Sequence, residues 1–318
     1  MIALERLDSE SLEELRRSAG ESSEADPLEV SLRLRDRPDP YASALFAGAL
    51  MAELGHIPLR ISHEPDRAQL ANVFRSGLAA ALGSRGGPTT FADPASPLTA
   101  PELRATWTPG MATFRGAMFG AGPEQDVGLF GPLHAIFLNP HRTTTPPGPS
   151  SITRVVRRWL GSRLTGEAAE RHIADVGFAL DQLVVNVTEH AVTEETPSVS
   201  SQVRIEIDPG AGGAPGSLLL SVLDTGAGIA RTLRAKLAEP PPDAELLPAL
   251  MEGRLQQWGR ARGIGLSRLT QLVQEAKGTM SLAVRGSSVS VSEDEVTAIA
   301  DASAAMGSVI SLRLPLLG

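Results

Sequence analysis

The sequence predicts an α/β protein, helices laid against β-sheet, from three observations. Strand-like and helix-like segments alternate between residues 28 and 82, a layout that calls for a sheet covered by helices. A long segment, Glu167 to Val192, spaces its apolar residues as one buried helix face. Short apolar or alternating runs at Ser201–Ile207, Ser217–Leu223, Thr279–Val284 and Ser308–Leu314 read as strands, with glycine-rich loops among them.

The 318 residues are enough for two domains with their own cores, and 42% hydrophobic residues is ordinary for globular proteins. With 29 basic and 37 acidic residues the formal charge is −8, which argues against nucleic acid or an anionic membrane surface as a general partner. There is no cysteine, so disulfides and thiolate metal sites are excluded. Met1 to Gly20 lacks the apolar centre of a signal peptide, and the longest apolar run, Tyr41 to Leu54, is too short for a bilayer. A soluble, cytoplasmic protein is expected.

In chain order, Leu4, Leu7, Leu12 and Leu15 predict one short helix over Met1–Arg17, and Ser18–Pro27 a polar connector. Leu28–Leu34 and Ile57–Ile61 read as strands, and Tyr41–Leu54 and Asp66–Leu82 as helices stopped by Gly55 and Gly83. Residues 84–150 are rich in proline and glycine yet carry Trp107, Phe114, Met118, Phe119, Phe130 and Phe137, too apolar for a solvated linker. Leu133–Leu138 reads as a strand that could complete the first sheet. Thr143–Pro149 is the linker, giving an N-terminal helix and connector over 1–27, a first domain over 28–142 and a second over 150–318. Ile152, Val155, Val156, Trp159 and Leu160 form the apolar stripe of the helix that opens the second domain, with Arg154, Arg157, Arg158 and Arg163 opposite.

The candidate chemistry starts on the long helix. Gln182, Asn186 and His190 follow one another at intervals of four, so they stack on one helix face beside the apolar stripe. That pattern fits a binding site, but taken alone it fits better a satisfied interior amide with a histidine favoured at a helix C-terminus. Downstream, the strand Ser217–Leu223 runs into Asp224-Thr225-Gly226-Ala227-Gly228-Ile229, a carboxylate followed by two glycines that let a ligand approach the backbone. Arg262-Gly263-Ile264-Gly265-Leu266 then opens a helix, where free N–H groups can face an anion.

In this order, and with the closing strand Gly307-Ser308-Val309 to Leu314-Pro315, the motifs resemble the Bergerat or GHKL ATP-binding fold of histidine kinases, anti-sigma serine kinases, gyrase-type ATPases and chaperones. The resemblance covers residues 150–318 and implies a two-layer α+β domain binding ATP and magnesium. It implies that Asn186 holds the magnesium ion beside the phosphates and that Asp224 accepts the adenine amino group. Gly226, Gly228 and Ile229 would lie along the base, Gly263, Gly265 and Leu266 at the phosphates with Arg262 or Arg260 as a clamp, with Ser308 reaching the adenine side and His190 on the helix face of Asn186. Ala230–Ala261 would be the lid over the nucleotide.

The segment 28–83 is similar to STAS-like, anti-anti-sigma type domains. The similarity rests on Asp39-Pro40-Tyr41, Gly55-His56-Ile57-Pro58-Leu59-Arg60-Ile61, Leu70-Ala71-Asn72-Val73-Phe74 and Gly77-Leu78. Ser43 stands near the phosphoacceptor position of that family, without its motif. His63-Glu64-Pro65 echoes the phosphoacceptor box of histidine kinases, but it follows a strand and precedes a proline that disfavours helix, so it reads as a chance match.

One departure bears on activity. Where gyrase-type ATPases and anti-sigma kinases carry a glutamate general base, this chain has Gln182, which cannot accept a proton; histidine kinases carry an amide there. Asp181 is rotated about 100° around the helix, and Glu189 is a candidate base only if the helix presents it to the site. The expected functions are an ATP-binding bacterial signalling protein that phosphorylates or regulates a protein partner, a catalytically silent ATP-gated interaction module, or a slow ATPase. The partner would be a sigma-pathway protein, a response regulator or an effector, and a homodimer is possible. The ATPase reading is disfavoured because dimeric clamps use a lysine from a following domain, and the sequence given ends at Gly318.

Overall fold

The computed structural model describes residues 1–23, 26–36, 39–63, 87–93, 106–108, 111–115, 133–140, 166–191, 198–208, 216–255, 264–299 and 307–316, with scattered residues between 66 and 82 and between 153 and 164. The α/β class is as expected, with one parallel and one antiparallel sheet.

The first sheet has four parallel strands in sequence order: β1 (Ile2–Leu4), β2 (Leu28–Leu32), β3 (Leu59–His63) and β4 (Thr89–Phe91). Helix α1 (Ser9–Ala19) joins β1 to β2, and α2 (Pro40–Met51) joins β2 to β3. The expectation of a single helix over Met1–Arg17 is corrected here. Ile2 and Leu4 are buried on alternate positions and Ile2 pairs with Val30, so the start of the chain is a strand. The helix begins only after Asp8, whose carboxylate accepts from the Ser11 N–H at 2.9 Å. Leu12, Leu15 and Ala19 then turn into the core of this unit. Ser43 is fully buried and its hydroxyl donates to the Asp39 carbonyl at 2.6 Å, four residues back at the start of the same helix, so the hydroxyl is satisfied inside α2. Most of the helix expected over Asp66–Leu82 and of the helix opening the second domain lies outside the described residues, as does Thr143–Pro149.

The second sheet has nine strands, each antiparallel to its neighbours, in the order β12-β11-β10-β13-β9-β8-β7-β6-β5. They are β5 (Thr106–Thr108), β6 (Met111–Arg115), β7 (Leu133–Pro140), β8 (Ser198–Asp208), β9 (Ser217–Asp224), β10 (Thr279–Val284), β11 (Ser287–Val291), β12 (Val296–Ile299) and β13 (Ser308–Pro315). The expectation that 133–138 completes the first sheet is overturned: β7 pairs with β8, from Leu133 opposite Ile205 to Pro140 opposite Ser198. Strand pairing is non-local, and the alternation in the segment says nothing about which edge it joins.

Helices α3 (Glu167–His190), α4 (Ile229–Arg234), α5 (Asp243–Met251) and α6 (Ile264–Glu275) cover one face of this sheet. Their apolar residues meet the alternate strand residues Val203, Ile205, Leu218, Leu220, Val222, Leu282, Ile310 and Leu312 in one core. The lid region expected over Ala230–Ala261 thus contains two packed helices, with Leu246, Leu247, Leu250 and Met251 buried.

The opposite face carries Arg204, Glu206, Ser221, Leu223, Ser288 and Val309, and α2 packs against it across β9 and β13. Leu223 and Val309 belong to the core of the N-terminal unit, and a Cβ placed on Gly48 of α2 would sit 3.5 Å from the Leu223 side chain. Arg204 and Glu206 form a buried ion pair at 2.5 Å on this face. Among the described residues no helix is long and apolar enough to cross a membrane.

Candidate functional site

Helix α3 sets the geometry. Its buried stripe, Val176, Ala179, Leu180, Leu183, Val184 and Val187, fixes its rotation on the sheet. Asp181 is engaged by the Thr153 hydroxyl, so it faces the preceding helical segment. Gln182 is half-buried and meets the start of α6, where a Cβ on Gly265 would stand 2.5 Å from the Gln182 amide oxygen. One residue beyond the helix, the Ala191 carbonyl accepts from the Ala227 N–H at 2.9 Å. A side chain on Gly226 would collide with Ala191.

Both glycine segments therefore press on α3, at Gln182 and at Ala191. At about 1.5 Å per residue these contacts lie roughly 6 Å before and 8 Å after Asn186 along the helix axis. Asn186 is half-buried and its Nδ2 is buried without a hydrogen-bond partner. A buried amide left unmatched between two glycine segments marks a place for a ligand. A half-turn about its last bond would present the oxygen in place of the nitrogen.

Asp224 ends β9, only 4% exposed, and Ser308 faces it across the β9–β13 pair. One Asp224 oxygen accepts from the Gly226 N–H at 2.9 Å, and the Ser308 hydroxyl and backbone also bond to the carboxylate. Burial pushes the Asp224 carboxyl up to about 6, against the lowering effect of those hydrogen bonds. The Ser308 oxygen in turn accepts from the Ile229 N–H at 3.0 Å, which pins the start of α4. Gly228 and Gly307 both have positive φ, 78° and 79°, and a side chain on Gly307 would strike the Asp224 backbone. Gly307 packs directly on Asp224, a contact that the motif reading passes over in favour of Ser308; its signal is a glycine directly before a strand.

The remaining expected residues divide. Gly265 lies in the first turn of α6, where N–H groups lack helical acceptors, and Leu266 is buried in the core behind it. Ile229 is buried, with its N–H taken by Ser308. Arg260, Arg262 and Gly263 lie outside the described residues, as do the side chains of Glu189 and His190 in the last turn of α3. Among the described residues no group of three His, Cys, Asp or Glu is placed to hold a metal ion. A magnesium ion carried largely by phosphate and water, with one amide ligand, needs no such group.

An open cavity of about 260 Å³ adjoins the Gly226–Gly228 loop on the side of α4, α5 and the β10–β11 turn. Asn186, Gln182 and Asp224 do not line it, so it is not the centre of this arrangement.

Comparison with known proteins finds one family here. Residues 176–318 match the family described as histidine kinase-, DNA gyrase B-, and HSP90-like ATPase, a span that holds α3 from Val176 onward, both glycine segments and β13. A search of curated proteins finds no match. Over residues 176–318, a little under half of its length, the chain is similar to histidine kinase-, gyrase B- and HSP90-like ATPases.

Proposed function

We propose that this is a signalling protein in which magnesium-ATP at the α3–Asp224 site controls what the N-terminal unit presents to a protein partner. The observation that carries the reading is that α2 rests on Leu223 and Val309, the immediate neighbours of Asp224 and Ser308. Any shift of the β9 and β13 ends on nucleotide binding is felt by α2 without an intervening linker. The N-terminal unit is proposed to be the STAS-like partner-facing part of a cytoplasmic, bacterial regulator, with a sigma-pathway protein, response regulator or effector as partner.

The residues fit the nucleotide. The Asp224 carboxylate is set to accept an adenine amino group, with Ser308 and Gly226 holding its orientation. The α6 first turn, with Gly265 lacking a side chain, is set to meet phosphate. The Asn186 amide, turned by half a turn, would offer its oxygen to the cation where Nδ2 has no partner. Bound magnesium-ATP would supply phosphate charge and a transferable phosphoryl group. Gln182 lies against Gly265 and has no basic atom to take a proton, which supports gating over hydrolysis. A second reading keeps phosphoryl transfer: the amide at Gln182 suits a histidine acceptor on a partner, which needs no glutamate base.

Calorimetric titration of magnesium-ATP into the full chain tests the proposal. Wild type is expected to bind, Asp224→Asn to bind at least tenfold more weakly, and hydrogen exchange in α2 to slow on binding. ATP binding with no change in α2 exchange would remove the gating proposal; label from [γ-32P]ATP on an added partner would favour the second reading.

A further inference from the structure

The cavity beside the Gly226–Gly228 loop has a composition that the nucleotide site does not use. At about 260 Å³ it falls just below the range of drug-sized pockets, roughly 300–1,000 Å³, so it suits a small molecule. One wall is apolar, with Ala227 and Ala230 at its surface, backed by the buried Leu246 and Leu247 of α5 and Val284 at the end of β10. The other is lined by three arginines, Arg231 and Arg234 of α4 and Arg285 of the β10–β11 turn.

The placement of the arginines follows from the short helix. Ile229 and Leu233 are its buried positions. At about 100° per residue, Arg231 and Arg234 point away from that buried pair and toward the cavity. Each also holds a contact of its own within the protein. Arg285 comes from the opposite side, on an exposed turn closed by Gly286 at φ 76°. In a chain of formal charge −8, three arginines around one cavity run against the overall balance. Guanidinium forks match the geometry of carboxylates, and an apolar wall beside them excludes a ligand that is charged all over.

We propose that this cavity binds a small carboxylate carried on an aromatic or branched apolar body, the body against Ala227 and Ala230 over the buried Leu246, Leu247 and Val284, and the carboxylate toward the arginines. The site excludes Asn186, Gln182 and Asp224, and shares with the nucleotide site only the Gly226–Gly228 loop and Gly307.

Saturation-transfer NMR on the full chain, with 1-naphthoate and its neutral analogue 1-naphthamide as probes, tests this. Naphthoate is expected to bind at least tenfold more tightly than naphthamide. Arg285→Ser should weaken naphthoate at least fivefold and the Arg231→Ser/Arg285→Ser pair at least tenfold, with Arg285→Lys in between; circular dichroism establishes that each variant is folded. Asp224→Asn should leave naphthoate affinity within twofold, so failure of the nucleotide reading and failure of this one are told apart. Equal binding of the two probes, indifference to the arginine substitutions, or loss of naphthoate with Asp224→Asn alone would each overturn the proposal.

Discussion

The two faces of the β9–β13 pair differ sharply although they share the same two strands. On the helix side, Asp224 and Ser308 meet at the strand ends above a core of Val222, Ile310, Leu220 and Leu312. On the other side, one residue back or forward, Leu223 and Val309 carry α2. A strand turns successive side chains to opposite faces, so polar chemistry and the seat of a second unit are set one residue apart. The backbone that fixes the carboxylate is also the floor of the N-terminal core.

The largest effect expected is at the joint between the faces. Gly307 sits at φ 79°, and a side chain there would strike the Asp224 backbone. Gly307→Ala should cost about 4 kcal/mol or more in urea denaturation, strain and collision combined. A loss under about 1 kcal/mol would mean that the strand ends separate freely. Next comes the back face alone: Leu223→Ala removes a side chain that is 2% exposed and should cost about 2–5 kcal/mol. If the faces are coupled, the folded variant also binds ATP several-fold more weakly. A stability loss with unchanged ATP affinity would make α2 a passenger.

How much of this was legible in the sequence follows the range of each signal. Gln182, Asn186 and Asp224 were legible because helix periodicity and a strand running into glycines are local patterns. The start of the chain was misread because the three residues Ile2–Leu4 are too few to show alternation against the leucines of α1. The sheet that takes β7 was invisible because register is chosen by partners about sixty residues away. The covered back face was invisible for a further reason. Ser221, Ser288, Ser290 and Ser311 look like the solvated side of a sheet, and only packing with α2 shows that part of it is enclosed.

The front face can be tested by pH. The Asp224 carboxyl is pushed up to about 6 by burial, against 3.8 for the free group, so the folded state keeps a proton that the unfolded state releases between these values. The sign follows: this contribution is fully present below about pH 4 and is lost as pH rises through about 6, a change on the order of 3 kcal/mol. Asp224→Asn, whose amide oxygen can still accept from the Gly226 N–H, should remove that fall and be the more stable protein above pH 6 without nucleotide. Wild-type ATP affinity should move oppositely, weakening below pH 6 as the acceptor is protonated. Parallel stability profiles for wild type and Asp224→Asn would show that the carboxylate is not dehydrated.

The smallest effect sharpens the back face by adding one carbon atom. Gly48 lies within α2 directly over Leu223, and a Cβ there would stand 3.5 Å from the leucine side chain, ordinary contact. Gly48→Ala should therefore raise stability by up to about 1 kcal/mol, since alanine favours the helix and nothing need move. Gly48→Leu adds atoms where the contact is already closed, and overpacking of this kind costs about 1–3 kcal/mol. The two substitutions separate helix preference from fit: alanine stabilising while leucine destabilises means α2 is seated on Leu223 at van der Waals distance. If leucine is tolerated as well as alanine, α2 stands off the sheet, and the route from Asp224 through Leu223 to the N-terminal unit is broken at its first contact.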